Sequence, residues 1–158
     1  MMIDEQVLQI TSDLLRYEDP EVREQAALLL SSFALSKIGR ELFEVAFGHL
    51  ADLLEDEDLR VREAVAFTIM RVSVNEDGCE KMVQNNMPAA MISSFIKRSD
   101  AEQVSYDEAT YLTHLLEAFI NLTFSDNGIQ TLLGKKAIAC FTKVLDDETV
   151  KEVLEDKW

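Results

Sequence analysis

An internal repeat is the feature that most constrains the fold of this 158-residue chain. The run LLRYEDPEVREQAA at 14–27 recurs as LLEDEDLRVREAVA at 53–66, which is 39 positions later, and Gly39 and Gly78 keep the same offset. A weaker third copy ends at Gly128, 50 positions after Gly78. Its 11 additional residues fit into one polar stretch, 97–108. A chain of such copies can bury its apolar faces only by stacking one unit on the next.

A second series of mostly apolar residues follows each glycine in the same order. Its first members lie 11, 13 and 13 residues after the glycine, and the three sets are Leu50, Leu53 and Leu54; Met91, Ser94 and Phe95; and Phe141, Val144 and Leu145. Two independent landmarks in one order define a period near 40 residues. This period is typical of stacked helical repeats.

Each unit begins with the pattern of a long amphipathic helix. Val61, Val65 and Ile69 are spaced to share one helix face. Asp19, which precedes a proline, and Asp58 stand where a helix N-cap is expected. The glycine that follows each long helix suits a sharp helix-to-helix turn.

The pattern therefore predicts an all-α chain in which long, short and medium helices alternate. Long helices are expected over 19–36, 58–74 and 107–124, and the shorter ones over 39–46, 48–55, 78–86, 88–97, 127–133 and 135–146. The predicted repeats are 19–56, 58–97 and 107–146, with caps or partial repeats at 2–16 and 147–158. The acidic tail from Asp146 is polar enough to cap the array. The stretch 97–108 is read as a loop, either a binding face or a tolerated surface insertion.

Composition excludes several classes of protein. Apolar residues make up 47% of the chain, with only 2 Pro and 5 Gly, which favours a helical core over disorder or a strand-rich fold. No apolar run approaches the ~18 residues of a membrane span. Cys79 and Cys140 lie in different repeats, and with no export signal visible they predict free thiols and a cytoplasmic location.

The formal net charge of −15 bears on the partner. Nucleic acids and anionic membranes require a basic surface, so this balance argues against both. A protein partner with a basic or apolar segment fits, although solubility alone would also explain the charge.

No pattern in the sequence indicates catalysis, a cofactor or a metal. His49 and His114 are the only histidines, and neither belongs to a zinc-like set. The acidic run at 55–58 lacks the alternating ligands and glycine of a calcium loop. A glycine-rich phosphate loop is also missing. The sequence therefore predicts a non-enzymatic protein.

Arg23 and Arg62 occupy equivalent repeat positions. They could form a basic ladder for an acidic partner. The favoured interpretation is structural, in which each arginine bridges to acids of the adjacent inter-repeat turn.

At these residues the chain resembles armadillo proteins with HEAT character. The run from Asp19 to Ala26, and its copy from Asp58 to Val65, resemble the opening of a HEAT helix, and the three-helix cycle with a glycine after the long helix resembles armadillo repeats. The resemblance implies a right-handed superhelical solenoid of about three repeats with partial repeats at both ends. It implies fold far more specifically than function.

In armadillo proteins the long helices line a concave groove, where Trp and Asn ladders hold a peptide. Only Asn121 matches that ladder here, which argues against a nuclear-import receptor. Phe67 is then the one aromatic anchor of a mixed surface. The predicted partner-binding groove consists of Glu24, Leu28, Ser32, Glu63, Phe67, Arg71, Thr113, Glu117 and Asn121.

The amino-acid sequences from Leu53 to Gly78 and from Leu115 to Gly134 are similar to those of the radial-spoke armadillo proteins of the ciliary axoneme. The leading functional prediction is a protein–protein interaction scaffold that binds a peptide or helix of its partner in the groove. The alternative is a structural subunit of a larger assembly such as an axonemal radial spoke, with self-association through open repeat ends.

Overall fold

The computed structural model describes residues 5–99, 104–133 and 137–157, and these residues form eleven α-helices. The helices are α1 (Glu5–Leu14), α2 (Pro20–Phe33), α3 (Lys37–Glu41), α4 (Glu44–Leu53), α5 (Leu59–Ser73), α6 (Glu76–Gln84), α7 (Met87–Ser99), α8 (Tyr106–Leu122), α9 (Asp126–Leu133), α10 (Ala137–Leu145) and α11 (Glu148–Lys157). The order long, short, medium occurs three times, starting at α2, α5 and α8. The predicted all-α repeat fold is confirmed.

The helices pack in two layers. The long helices α2, α5 and α8 stack side by side with α11 in one layer, and α1, α4, α7 and α10 form the other. The core lies between the layers, where the register-equivalent Leu30, Ile69 and Phe119 are almost fully buried. Burial of each such side chain contributes about 1.5–3 kcal/mol. Each unit therefore depends on its neighbours for its core.

The long helices begin at capping residues. Asp19 and Asp58 each accept a hydrogen bond from the backbone N–H two residues on, at 2.9 Å, and Pro20 occupies the first position of α2. Ser105 caps α8 in a similar way, with a bond of 3.2 Å. These bonds satisfy N–H groups that have no partner within the helix. The two predicted aspartate caps are confirmed.

The repeat glycines do not lie in the turns, which corrects the prediction. Gly39, Gly78 and Gly128 are each the third residue of a short helix, and none has a positive φ. A Cβ at these positions would lie 2.0, 1.9 and 2.1 Å from the carbonyl oxygen of the residue six positions earlier. Glycine is required because the short helix begins directly against the last turn of the long one.

The shorter helices of the first unit lie earlier than predicted. Helices were expected at 39–46 and 48–55, whereas α3 ends at Glu41 and α4 already begins at Glu44. The Ser36 hydroxyl accepts a hydrogen bond from the N–H of Gly39 at 3.0 Å, so the first helix starts before its glycine. The second glycine, at 48, lies on the exposed face of α4 and does not interrupt it.

The predicted loop 97–108 is shorter than expected at both ends. Helix α7 continues to Ser99, and α8 already starts at Tyr106. Residues 100–103 lie outside the described part of the chain. Val104, two residues before the start of α8, is buried.

Candidate binding groove

The Arg23 side chain binds Asp56, which lies in the turn between the first two repeats. Its Nε and Nη2 bind the two carboxylate oxygens of Asp56 at 2.8 and 3.0 Å. Its Nη1 donates to the carbonyl oxygens of Tyr17 and Glu18 at 2.9 and 2.8 Å. The hydrogen bond to Asp56 raises the pKa of the Arg23 guanidinium. Four hydrogen bonds from one guanidinium make this side chain a structural connector.

Arg62 repeats the arrangement one unit later. Its Nη2 lies 3.0 Å from Oε2 of Glu108, and its Nη1 donates to the carbonyl oxygens of Asp56 and Glu57 at 2.7 and 3.2 Å. The side chain is buried. The interpretation of both arginines as inter-repeat bridges is confirmed, although the acid bound by Arg62 lies in the first turn of α8 and not in the inter-repeat turn as predicted. A basic ladder open to an acidic partner is wrong.

A depression of about 370 Å³ opens where α2 and α5 lie side by side. We call it the α2–α5 depression, and its walls are Glu24, Leu28, Arg60, Glu63, Ala64, Phe67 and His114. Four of these residues belong to the predicted groove. Arg60 and Ala64 of α5 and His114 of α8 do not.

Phe67 is held in this depression from two sides. The His114 ring meets it edge-on, with 5.4 Å between the ring centroids. The guanidinium carbon of Arg71 lies 5.0 Å from the centroid of the same ring, within the range of a cation–π contact. Phe67 itself remains partly exposed. The contacts fix the orientation of an aromatic side chain that a partner can still reach.

Charged groups of both signs lie near the ring, the carboxylates of Glu24 and Glu63 and the guanidinium groups of Arg60 and Arg71. Glu24 and Glu63 line the same depression as Leu28 and Phe67. Arg60, the cation at the rim, forms a 2.8 Å ion pair within its own turn. An apolar floor beside two carboxylates suits a ligand side chain with a long apolar stem and a cationic head.

Thr113, predicted to line the groove, is fully buried. Its hydroxyl donates to the carbonyl oxygen of Thr110 at 2.8 Å. His114, the next residue, reaches the groove in its place. Neighbouring residues lie about 100° apart around a helix, so Thr113 faces the packed side of α8 while His114 faces the α2–α5 depression.

The remaining predicted residues are dispersed. Glu117 borders a separate, apolar depression of about 240 Å³ between α8, α10 and α11. The Asn121 amide donates to the Ser73 hydroxyl at 3.0 Å, and Ser32 is exposed on α2. Four of the nine predicted residues line the α2–α5 depression and Arg71 lies beside Phe67, so this depression is the compact part of the predicted groove.

The described residues show no arrangement suited to catalysis. No group of three or more His, Cys, Asp or Glu among them could hold a metal ion. The Cys79 thiol is buried and donates to the Ser73 carbonyl at 3.0 Å, and burial raises its pKa to about 11. The thiol is therefore protonated at neutral pH and a poor nucleophile. Nδ1 of His49 lies 3.1 Å from both oxygens of Ser12, a contact between α4 and α1.

In the part of the chain that the structure covers, no helix is both long and apolar enough to cross a membrane. The stacked layers, the capped long helices and the cross-repeat arginines define an all-α helical repeat protein. A comparison with protein-family models gives no match. A comparison with curated proteins gives no match either.

Solved structures that this chain resembles include crystal structures of engineered proteins from the Northeast Structural Genomics Consortium. One is 18% identical with a TM-score of 0.75, and the match covers 94% of this chain and 60% of the other. A second is 16% identical with a TM-score of 0.74, covering 92% and 58%. The chain thus spans less than two thirds of the length of these proteins. At such low identity the likeness shows the fold alone.

Proposed function

We propose that the protein is a non-enzymatic interaction scaffold of the armadillo/HEAT type, which binds a basic or apolar segment of a partner protein along α2, α5 and α8. Helical repeat proteins commonly present an extended surface to other proteins. The absence of a catalytic arrangement among the described residues is consistent with this class. The observation that carries the proposal is the α2–α5 depression.

Three properties of the depression support binding. Its volume of about 370 Å³ is in the range of known ligand sites. Phe67 offers an oriented aromatic anchor, the type of residue that dominates many interfaces. Glu24 and Glu63 place two carboxylates beside it, so an arginine or lysine next to an apolar residue would be recognised by charge and by contact area.

The proposal is tested by selecting a random displayed peptide library on the purified protein and on a Phe67→Ala variant. We expect the enriched peptides to contain a basic residue next to an aromatic or aliphatic one. Their affinity should fall about tenfold or more for Phe67→Ala, because truncation of an interface anchor commonly costs 2 kcal/mol or more. A Glu24→Gln, Glu63→Gln double variant should weaken binding mainly at low salt.

A matched control is Ser32→Ala, an exposed change on α2 that should leave the affinity unchanged. Enriched peptides that bind Phe67→Ala as well as the unaltered protein would place their site elsewhere. That outcome would refute the groove as the binding surface.

A second candidate is a structural block of a larger assembly, for example an axonemal radial spoke. It is favoured by the outer face of α1 and α2. Val7, Ile10, Leu14 and Leu29 are 46%, 60%, 37% and 45% exposed on that face. Such a surface is suited to stacking against another helical unit.

A further inference from the structure

Each of the three turns after a long helix exposes a large apolar side chain. Leu35, Val74 and Phe124 are 61%, 63% and 84% exposed. They occupy the same repeat position, four residues before the glycine of the unit. We call these three residues the turn ladder. Scattered single apolar residues are normal on surfaces, but a series at one repeat position forms a row.

Local capping does not account for the turn ladder. An apolar residue just before an N-cap often packs against the fourth residue of the helix. The fourth residues here are Arg40, Cys79 and Ile129, and the first two are themselves buried. The ladder side chains keep more than 60% of their surface exposed, so that contact leaves them largely uncovered.

We call each residue of the turn ladder a rung. The spacing between the first two rungs, Leu35 and Val74, is fixed by an ion pair between repeats. Nε of Arg40 lies 3.0 Å from both carboxylate oxygens of Asp77. Its Nη1 donates to the carbonyl oxygen of Ala34 at 2.8 Å. Ala34 directly precedes Leu35, and Asp77 follows Val74 by three residues. The Arg40 guanidinium therefore connects the backbone next to Leu35 to α6, the helix that follows Val74.

A hydrogen bond fixes the second interval. Asn121, three residues before Phe124, donates to the hydroxyl of Ser73, which directly precedes Val74. Val74 and Phe124 line one depression of about 260 Å³. Asn75 lines it too and makes no side-chain capping bond to α6. The rungs are thus preorganised, which lowers the entropic cost of binding.

The charges beside the turn ladder indicate a basic partner. The residue two positions after each rung is Lys37, Glu76 and Asp126 in turn, and all three are exposed. Two of the three rungs are therefore followed by an acid, in a chain with a net charge of −15. A second copy would bring the same negative charge and be repelled, whereas a basic segment would be attracted.

The repeat spacing selects the shape of that segment. Packed helices lie 8–10 Å apart, so successive rungs are about 10 Å apart. On an α-helix, residues seven positions apart lie close to one face and about 10.5 Å apart. In a β-strand, residues about 10 Å apart are three positions apart, and their side chains point to opposite faces of the strand. A strand therefore does not present one apolar face to rungs at this spacing. We infer that the turn ladder binds a basic amphipathic helix of a partner protein, with apolar residues at every seventh position.

The test uses three fluorescein-labelled synthetic peptides and fluorescence anisotropy. The first is a lysine-rich helical peptide with three leucines seven residues apart. The second has the same composition with leucines three residues apart, and the third replaces the lysines of the first by glutamates. We expect saturable binding of the first peptide and at least tenfold weaker binding of the other two.

The protein variants are a Leu35→Ser, Val74→Ser, Phe124→Ser triple variant and the control Ile138→Ser, whose side chain is 61% exposed on α10. The triple variant should bind the first peptide at least about tenfold more weakly, equivalent to about 1.4 kcal/mol. Ile138→Ser should bind it unchanged. Circular dichroism checks that the triple variant, altered only at exposed positions, remains folded.

Phe67→Ala separates this surface from the α2–α5 depression, which also accepts basic and apolar side chains, so the tenfold loss caused by the triple substitution should be the same with and without Phe67→Ala. Loss of binding in Phe67→Ala with retention in the triple variant would overturn the turn ladder while supporting the proposed groove. The inference is also overturned by no saturable binding, by equal binding to the triple variant, or by preference for the second or third peptide.

Discussion

At the residue scale, the glycines of the repeat are determined by a contact and not by a backbone angle. Gly39, Gly78 and Gly128 lie within helices, and the space that a Cβ would need is occupied by a main-chain carbonyl. A carbonyl at the end of a packed helix cannot move aside as a flexible side chain can. Gly48 differs, because nothing lies within 4 Å of its Cβ position.

This contrast gives opposite effects for the same substitution. Gly78→Ala should lower the free energy of unfolding by about 2 kcal/mol, the typical cost of overpacking. Gly48→Ala should raise it by about 0.5–1 kcal/mol, because alanine has the higher helix propensity and meets no obstacle in α4. Urea denaturation followed by circular dichroism measures both. Equal effects of the two substitutions would contradict this account.

At this scale the sequence does not predict pairs of neighbouring residues in which one side chain is smaller and the other larger than in the equivalent repeat. The aspartate caps follow from the sequence alone, whereas the repeat glycines were expected in the turns and lie inside the short helices. Ser94 stands in the apolar series where Leu53 stands one unit earlier, and its hydroxyl donates to the Leu54 carbonyl and lies 2.7 Å from the hydroxyl of Tyr111. Tyr111 takes the register position of a valine. A small and a large residue compensate each other across two helices, and a single-sequence pattern does not reveal such pairs.

At the element scale, α8 is positioned by its first turn. Glu108 binds Arg62 of α5 at 3.0 Å, and Arg98 of α7 lies 3.8 Å away. The Glu108 carboxylate thus lies next to one arginine from each of the two helix layers. This contact restores the stacking of α8 on α5 after the insertion that precedes it. The sequence predicted the helices and the site of the insertion, but not that Glu108 takes the role of Asp56.

Removal of the buried cation should therefore loosen α8. Arg62→Ala should lower the free energy of unfolding by about 3 kcal/mol, because it leaves two carbonyl groups without their donor and leaves the Glu108 carboxylate with only the more distant Arg98. Arg60→Ala is the matched control, since this exposed side chain pairs only within its own turn, and it should leave stability nearly unchanged. Chemical denaturation and hydrogen exchange in α8 measure the difference. Unchanged protection of α8 in Arg62→Ala would refute the role of the pair.

At the scale of the whole molecule, the two ends of the stack differ. Leu29 is 45% exposed, whereas its register equivalents Thr68 and Ala118 are fully buried against neighbouring helices. The outer side of α11 carries the exposed acids Glu152, Glu155 and Asp156. The outer side of α11 is thus polar, while the face of α1 and α2 is apolar.

If the apolar face mediates assembly, the protein should associate in a concentration-dependent manner. Sedimentation velocity over a range of concentrations should show this, and more strongly at higher salt, which screens the net charge of −15. An Ile10→Glu, Leu29→Glu double variant should remain monomeric. Phe67→Ala and Arg71→Glu should associate like the unaltered protein. A monomer under all conditions would contradict the assembly function.

The cross-repeat arginines have a consequence for how such a chain can change over evolutionary time. Each binds carbonyl groups of its own turn, which every sequence possesses, and requires a single acid from the neighbouring region. A duplicated unit therefore already contains the carbonyl groups that its arginine binds, and it needs only one acidic residue from its neighbour to form the connection. The acid can come from a turn, as Asp56 does, or from a helix beyond an insertion, as Glu108 does. Units joined in this way can lengthen or diverge on their surfaces while the connection between them is inherited intact.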